Sequence, residues 1–235
     1  MLRLANISSI LVVNREKKDM SDASRRTFVK AGMVGGLAAV LSELTRAAGS
    51  TVHLPTPTEI EGPFYPITPQ KDKDFDLTRI AGKSGVAQGR MIFIEGQVLN
   101  TDGQPVEDAT VDLWQANAAG RYRHPHDPNP AHLDPNFQGW AIVQSGRQGQ
   151  FRFKTILPGA YPASRSWMRP PHIHFKVSKR GYLELVTQMY FEGQKLNDSD
   201  RLLLRKSELE RQRMIAKRIK DAPETYGYTI VLEKL

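Results

Sequence analysis

Short stretches in which apolar and polar residues alternate, separated by turn residues, occupy most of the chain after residue 90. Neighbouring side chains of a β-strand point to opposite faces, so this alternation predicts strands that each bury one face. Six stretches show the pattern most clearly: Met91–Leu99, Ala109–Trp114, Phe151–Ile156, His172–Ser178, Leu185–Phe191 and Tyr226–Leu232. Turn signals such as Asn100–Gly103 and Pro158–Gly159 lie between them. About seven short strands with such turns predict an all-β fold, an antiparallel β-sandwich, over residues 91–235.

Two further segments precede or interrupt the predicted strands. Residues 49–90 begin with a Pro-rich stretch and continue with charged, glycine-containing sequence of little periodicity. We expect them to form an ordered N-terminal arm over the domain, without a core of their own. Asp200–Lys220 is charged and carries apolar residues at roughly helical spacing: Leu202, Leu203, Leu209, Ile215 and Ile219. This spacing predicts a peripheral helix with a solvated basic face.

The first 48 residues have the organisation of an export signal. A basic start, Ser24–Lys30, is followed by the uncharged run Ala31–Ser42 and by small residues at 47–49. The run is well short of the ~20 residues that span a bilayer. The paired arginines of the basic start, followed by Phe and Lys, resemble the twin-arginine (Tat) signal. This resemblance implies an exported, periplasmic or extracellular protein that engages the Tat translocase already folded, and we expect Met20 to be the true start.

Composition restricts the chemistry of any functional site. The 235 residues include no cysteine, which excludes disulfide scaffolds, thiolate zinc sites, iron–sulfur clusters and a cysteine nucleophile. The formal net charge is +8, but residues 1–48 hold eight of the 33 Lys and Arg and four of the 25 Asp and Glu, so the remainder carries only +4. We therefore expect no nucleic-acid partner. A metal in this chain has to be held by His, Tyr, Asp or Glu.

The predicted strand His172–Ser178 carries two histidines on one face. His172 and His174 are two residues apart, so both side chains project away from the core face that Ile173 and Phe175 form. Two imidazoles on one face can bind one metal ion, although strand histidines are also often hydrogen-bonded without a metal. The other four histidines are expected to be ordinary exposed residues of loops: His53, His124, His126 and His132.

Two tyrosines lie at turns, and with the histidines they form part of an ordered set of motifs. Tyr122 follows a strand end and a glycine, and Tyr161 follows a Pro-Gly turn; either tyrosine alone is most often a packing residue. The motifs are Trp-Gln-Ala-Asn at 114–117, Asp-Pro-Asn-Phe at 134–137, Pro-Gly-Ala-Tyr-Pro at 158–162 and Arg-Pro-Pro-His-Ile-His-Phe at 169–175. With these motifs, residues 61–191 resemble the intradiol ring-cleavage dioxygenases. These are non-haem Fe(III) enzymes that cut catechols between the two hydroxyl-bearing carbons, and the protocatechuate-type beta chain is the most similar.

The resemblance implies a function and roles for particular residues. It makes four side chains the ligands of non-haem Fe(III): Tyr122, Tyr161, His172 and His174. It also implies that Tyr161 leaves the metal when substrate binds, that Arg169 lies near the substrate oxygens and that Gln188 lines the same pocket. The implied reaction is O2-dependent cleavage of a catechol-type aromatic to a cis,cis-muconate-type diacid. The resemblance leaves open whether the protein forms a homo-oligomer or binds a second type of subunit. Ala163 stands where the family often has an aromatic residue, so the particular catechol is left open.

Two other functions use the same patterns. A prealbumin-like or Ig-like binding module would have the same turns and core without metal ligands, since a fold alone does not assign an activity. A copper or zinc hydrolase or dismutase would use the His-x-His pair, but would need three or more clustered histidines and often a carboxylate. Tyr122 together with the His172/His174 strand distinguishes the dioxygenase hypothesis from the binding module, whereas a copper or zinc site would leave the tyrosines without a role.

Overall fold

The computed structural model describes residues 52–70, 72–222 and 224–235. This part of the chain contains ten strands and one α-helix: β1 (Met91–Asn100), β2 (Thr110–Trp114), β3 (Trp140–Gln144), β4 (Gln150–Ile156), β5 (Tyr161–Ser164), β6 (Trp167–Arg169), β7 (His172–Ser178), β8 (Leu185–Phe191), α1 (Glu208–Met214), β9 (Ile215–Arg218) and β10 (Thr225–Leu232). Two short 3-10 helices, Lys195–Ser199 and Leu203–Arg205, precede α1. Within these described ranges no helix has the length and apolar character needed to cross a bilayer. The export-signal segment, residues 1–48, lies outside the described residues.

Eight of the strands form one nearly closed sheet in the order β3-β2-β7-β8-β9-β10-β1-β4, and β5 pairs only with β6. The all-β prediction is confirmed in this broad form. Most neighbouring strands are antiparallel, but β1 runs parallel to β10 and β8 runs parallel to β9. The sheet is therefore mixed, with the last strand, β10, lying parallel to the first, β1.

The two halves of the sheet, β3-β2-β7-β8 and β9-β10-β1-β4, share one apolar core. Phe175 of β7 lies with its ring centroid 6.1 Å from that of Phe151 in β4 and 5.5 Å from that of Tyr228 in β10. Ile173 and Val177, on the same face of β7 as Phe175, are fully buried in this core. The alternation along β7 therefore leaves His172 and His174 on the opposite face.

The helix predicted over Asp200–Lys220 is wrong in extent. Only α1 is α-helical, and it begins with a capping box in which Ser207 and Glu210 bind each other's backbone N–H groups. The next four residues form β9, which pairs with β8 and β10. Pairing with two strands satisfies the backbone of β9 and buries Ala216, and this long-range gain overrides a local helical spacing.

The described parts of the arm, residues 52–70 and 72–90, follow both halves of the sheet. Backbone N–H groups of Thr56, Glu59 and Leu77 donate to carbonyls of β10, β8 and β4 at 2.8–3.0 Å. Phe64 and Tyr65 of the arm pack on a second apolar cluster, formed by Trp114, Ala116, Tyr122, Trp140 and Tyr161. Because this cluster lies on the histidine face of β7, the arm buries that face as well.

Candidate metal centre

Strand β7 holds its two histidines in fixed orientations. His174 pairs with Trp114 of β2, and their rings stack at a centroid distance of 4.9 Å and an angle of 12°. His172 Nδ1 lies 2.8 Å from the carbonyl oxygen of Pro170, where it donates a hydrogen bond as Nδ1–H. That bond sets the tautomer of His172 and leaves the lone pair of Nε2 free to bind a cation.

Two glycines bring the turns that carry the tyrosines into close contact. Gly120 has a φ of +78°, and a Cβ there would meet the carbonyl oxygen of Ala160 at 2.5 Å. A Cβ on Gly159 would meet the carbonyl oxygen of Ala118 at 2.4 Å. Side chains larger than hydrogen would therefore separate the two turns, and with them Tyr122 from Tyr161.

The four predicted ligands converge on one point. The hydroxyl oxygen of Tyr122 lies 3.0 Å from His174 Nε2 and 3.4 Å from His172 Nε2. The hydroxyl oxygen of Tyr161 lies 3.5 Å from His172 Nε2. Two ligands at about 2.1 Å from one metal ion are about 3.0–3.4 Å apart at right-angled to tetrahedral geometry. The donor atoms of Tyr122, Tyr161, His172 and His174 are thus spaced to share one ion.

The protonation of these four groups fits a highly charged cation. Burial, with the nearby Arg169, lowers the pKa of His174 to about 3 and lowers that of His172 well below its usual value, so both imidazoles are neutral ligands. Burial raises the pKa of Tyr122 and Tyr161, so neither phenol ionises without a compensating positive charge. A hard trivalent ion held by these four residues would supply that charge, and the two phenolates would offset part of it. Clusters of three or more His, Cys, Asp and Glu side chains that could hold a metal do not occur among the described residues.

Arg169 lies beside the four donors in a buried polar cluster. Its Nε donates to Asp200 Oδ2 at 2.7 Å, and its Nη2 donates to Gln188 Oε1 at 2.6 Å and to the hydroxyl of Tyr190 at 3.0 Å. The Tyr190 hydroxyl lies 3.1 Å from Gln188 Oε1 as a donor. These contacts hold the guanidinium plane in one orientation.

A cavity of about 250 Å³ opens onto the centre. Tyr161, Arg169 and His174 line it, whereas Tyr122 and His172, 2% and 1% exposed, are not among its described lining residues. Gln188 is fully buried and contacts the arm through Nε2, which donates to the carbonyl of Ile60. Gln188 is not one of the described residues that line the cavity, but it is hydrogen-bonded to two that do, Arg169 and Ile60.

The other histidines lie apart from the four donors. His126 and His132 are exposed as predicted, and His53 is half-buried. The prediction for His124 is wrong, because its ring is buried 5.7 Å from that of Phe64 and its Nδ1 accepts a hydrogen bond from the backbone of His126.

Several functional residues carry little or no sequence signal. Asp200 is 31 residues from Arg169, and nothing local indicates that the two form an ion pair. Phe64 and Trp167 line the cavity from the arm and from β6, where the sequence shows no periodicity that marks them. Tyr190 is the exception: it is two residues after Gln188 in a predicted strand, so a shared face was predictable.

Comparison with known proteins agrees with this geometry. A protein family described as "Dioxygenase" matches residues 60–234. The chain is 39% identical to the protocatechuate 3,4-dioxygenase beta chain of Burkholderia cepacia, over 73% of this chain and 83% of that one. It is 31% identical to 6-chlorohydroxyquinol 1,2-dioxygenase of Cupriavidus pinatubonensis, over 77% and 66%.

The fold also matches solved structures. The dioxygenase domain of a dioxygenase and carbohydrate-binding protein fusion from Streptomyces sp. SirexAA-E superposes with a TM-score of 0.57 at 25% identity, covering 77% of this chain and 99% of that domain. Sequence, fold and the arrangement of the motif residues agree. The chain belongs to the intradiol ring-cleavage dioxygenase family.

Proposed function

We propose that this protein is an Fe(III)-dependent intradiol dioxygenase. It would add both atoms of O2 to a catechol-type aromatic and yield a cis,cis-muconate-type diacid, so that catechol plus O2 balances the product without an external reductant. The observation that carries the proposal is that each of the two phenol oxygens lies within 3.0–3.5 Å of an imidazole nitrogen, with Tyr122 next to both His174 and His172 and Tyr161 next to His172. We also take the two halves of the mixed sheet to be the layers of a β-sandwich, on the ground of their shared core.

In this proposal Tyr122, Tyr161, His172 and His174 hold the ferric ion. When bound, Fe(III) would hold the catechol as a dianion and draw electron density from its ring, which makes the ring reactive toward O2. The protein contributes a buried, neutral donor set. It also contributes the stacked Trp114 and the Pro170 carbonyl, which fix the two imidazole rings.

Tyr161 is suited to accept a proton from the substrate. It lines the cavity, whereas Tyr122 is not among the described lining residues, so an entering catechol would meet Tyr161 first. Burial raises the pKa of the Tyr161 phenol, and a phenolate at this position therefore gains stability when it takes a proton from a catechol hydroxyl.

Arg169 is suited to stabilise negative charge on the ring. Nε and Nη2 are occupied by Asp200, Gln188 and Tyr190, while Nη1 has no hydrogen-bond partner among the described residues. The guanidinium is thus rigid and still offers donors to the cavity that it lines. A fixed, permanently charged donor is the arrangement that stabilises developing anions most effectively.

Oxygen consumption tests the proposed activity. The iron-loaded protein should consume one O2 per catechol, and mass spectrometry after reaction under 18O2 should find two labelled oxygens in a diacid product. Tyr161→Phe and His174→Gln should each reduce kcat by about 100-fold or more, since each removes a proposed ligand. Tyr182→Phe, at a partly exposed tyrosine remote from the motifs, is the matched control. Binding of catechols without O2 uptake would instead indicate a prealbumin-like binding module.

We further propose that residues 1–48 direct export through the Tat translocase to the periplasm or cell exterior. The paired arginines and the short uncharged run support this proposal. N-terminal peptide mapping of the exported protein should find a start near residue 49. Recovery of the protein from the cytoplasm alone, with none in the periplasm or the medium, would contradict it.

We also propose that the protein works in a multi-subunit assembly. The Burkholderia relative is named as a beta chain, which supports subunit assembly in that protein. Light scattering of the purified chain should give a mass above 26.4 kDa. A monomer at every concentration, active without a partner, would contradict the proposal.

A further inference from the structure

Outside the metal centre and Arg169, the wall of the cavity is apolar except for the carboxylate of Asp127. Among the described residues that line it, eight have uncharged, mainly hydrocarbon side chains, and these include Phe64, Ala163, Trp167 and Leu202. The volume of about 250 Å³ lies just below the range of ordinary small-molecule sites, about 300–1,000 Å³, and suits a single aromatic ring with one small substituent.

The described part of the cavity wall has no free cation that could pair with a negatively charged substituent on the substrate ring. Arg169 is the one Lys or Arg in the described lining, and its charge is compensated by Asp200 at 2.7 Å. Its remaining donors serve the reacting ring in the proposed function. Asp127 adds a carboxylate to the same wall, where its oxygens accept the backbone N–H groups of Tyr122 and Asn129.

A second arginine lies near the cavity but outside the described lining. Arg201 is 5.6 Å from the Trp167 ring, and its Nη2 donates to the carbonyl oxygen and the hydroxyl of Ser166. Ser166 is in the exposed turn of the β5–β6 hairpin, so these bonds hold the guanidinium at that turn.

Ala163 determines the shape of the wall beside this hairpin. The register of β5 and β6 shifts between Pro162 and Ser164, so Ala163 is an extra residue in a bulge. Bulges redirect side chains next to functional sites, and Ala163 lines the cavity while its neighbour Ser164 is absent from the described lining. The small side chain of Ala163 occupies little of the cavity, whose lining also includes Trp167 and Leu202.

We propose that this cavity selects catechols whose ring substituent is uncharged and apolar, and discriminates against carboxylated catechols. The inference rests on the proposed function and names its substrate class. A ring carboxylate would lose its hydration against hydrocarbon and Asp127 without gaining a cation, whereas a methyl group or halogen would be buried favourably.

The test compares 4-methylcatechol with protocatechuate, which differ at one ring substituent. For the iron-loaded protein, kcat/KM should be at least about tenfold higher for 4-methylcatechol. The dissociation constants, measured without O2 by calorimetry, should differ in the same direction. Ala163→Arg places a cation in the wall and should reverse or abolish the preference. Ser164→Arg adds the same charge to the hairpin outside the described lining and should leave the preference unchanged.

The outcomes separate this inference from the proposed function. Equal or better binding and turnover of protocatechuate by the unaltered protein overturns the inference while supporting the dioxygenase activity. Turnover of neither compound contradicts the proposed function, and the calorimetric ratio still decides which substituent the cavity prefers. An identical change of preference in Ala163→Arg and Ser164→Arg shows that overall charge sets the selectivity, and also overturns the inference.

Discussion

The Nε of Arg169 lies 2.7 Å from Oδ2 of Asp200, in an ion pair whose side chains are 5% and 0% exposed. Gln188 and Tyr190 bind the same guanidinium, so Asp200 anchors a cluster that faces the candidate metal centre. A buried ion pair of this kind orients its members, and its two charges depend on each other.

Removal of Asp200 should therefore destabilise the fold strongly. Asp200→Ala leaves the Arg169 charge buried without a counter-ion, and we expect the free energy of unfolding to fall by about 3–5 kcal/mol. Asp102→Ala, which breaks the exposed pair with Lys234, should cost far less, because solvent screens that pair. Urea denaturation of both variants measures the difference. Equal losses would contradict a structural role for the buried pair.

Gly120 should tolerate substitution less well than a glycine of similar φ in open space. Gly120→Ala combines the strain of a φ of +78° with a contact at 2.5 Å to the Ala160 carbonyl, so we expect a loss of about 2–4 kcal/mol. Gly181→Ala, with a φ of +88° and no atom within 4 Å of its Cβ, should cost only about 1–2 kcal/mol. Thermal and urea unfolding compare the two. A smaller loss for Gly120→Ala would show that the tyrosine turns are not tightly packed.

Tyr65 should fasten the arm over the histidine face of β7. Its hydroxyl donates to Asp112 Oδ2 at 2.7 Å, and Trp140 Nε1 donates to the other oxygen of the same buried carboxylate at 2.8 Å. Tyr65→Phe removes one charge-assisted bond, and we expect a loss of about 1.5–3 kcal/mol in urea unfolding. Tyr182→Phe, the control, should change stability by about 0.5 kcal/mol or less. Faster proteolysis near residue 65 should accompany the loss, and an unchanged rate would contradict the role of this bond.

The metal-free protein should lose stability as the pH falls below about 6.5. His172 and His174 have a lowered pKa in the folded state, about 3 for His174, whereas in the unfolded chain their pKa is about 6.5. Between these values the unfolded chain binds more protons, so each histidine lowers the free energy of unfolding by up to about 1.4 kcal/mol per pH unit.

His174→Gln tests the origin of this pH dependence. The slope of unfolding free energy between pH 6.5 and 4.5 should be smaller in His174→Gln than in the unaltered protein. His126→Gln, at an exposed histidine, should keep the original slope. Parallel curves for all three proteins would assign the acid sensitivity to carboxylates instead.

Alternation predicted the strands well where one face enters the core. The bounds of β7 and β8 agree with the pattern to the residue, because Ile173, Phe175 and Val177 form one buried row. The same alternation placed His172 and His174 together, and motif order added the two tyrosines.

What the sequence did not predict depends on contacts between distant segments. β9 is four residues within a charged stretch, and it is a strand only because β8 and β10 lie on either side. β3 was not predicted, because Trp140–Val143 is a continuous apolar run without alternation, although Gly139 and Ser145–Gly146 flank it. The Arg169–Asp200 pair and the bulge at Ala163 likewise follow from how β5, β6 and the segment after β8 meet, which no local periodicity encodes.

The visible absorption spectrum of the pure protein loaded with one Fe(III) per chain tests the central claim most directly. Two phenolate ligands predict a red-brown colour from tyrosinate-to-iron charge transfer, weakened and shifted in Tyr122→Phe and altered in Tyr161→Phe. The control Tyr182→Phe should retain the original band. A fully loaded but colourless protein, or a band that neither tyrosine variant changes, would contradict a centre built from Tyr122, Tyr161, His172 and His174.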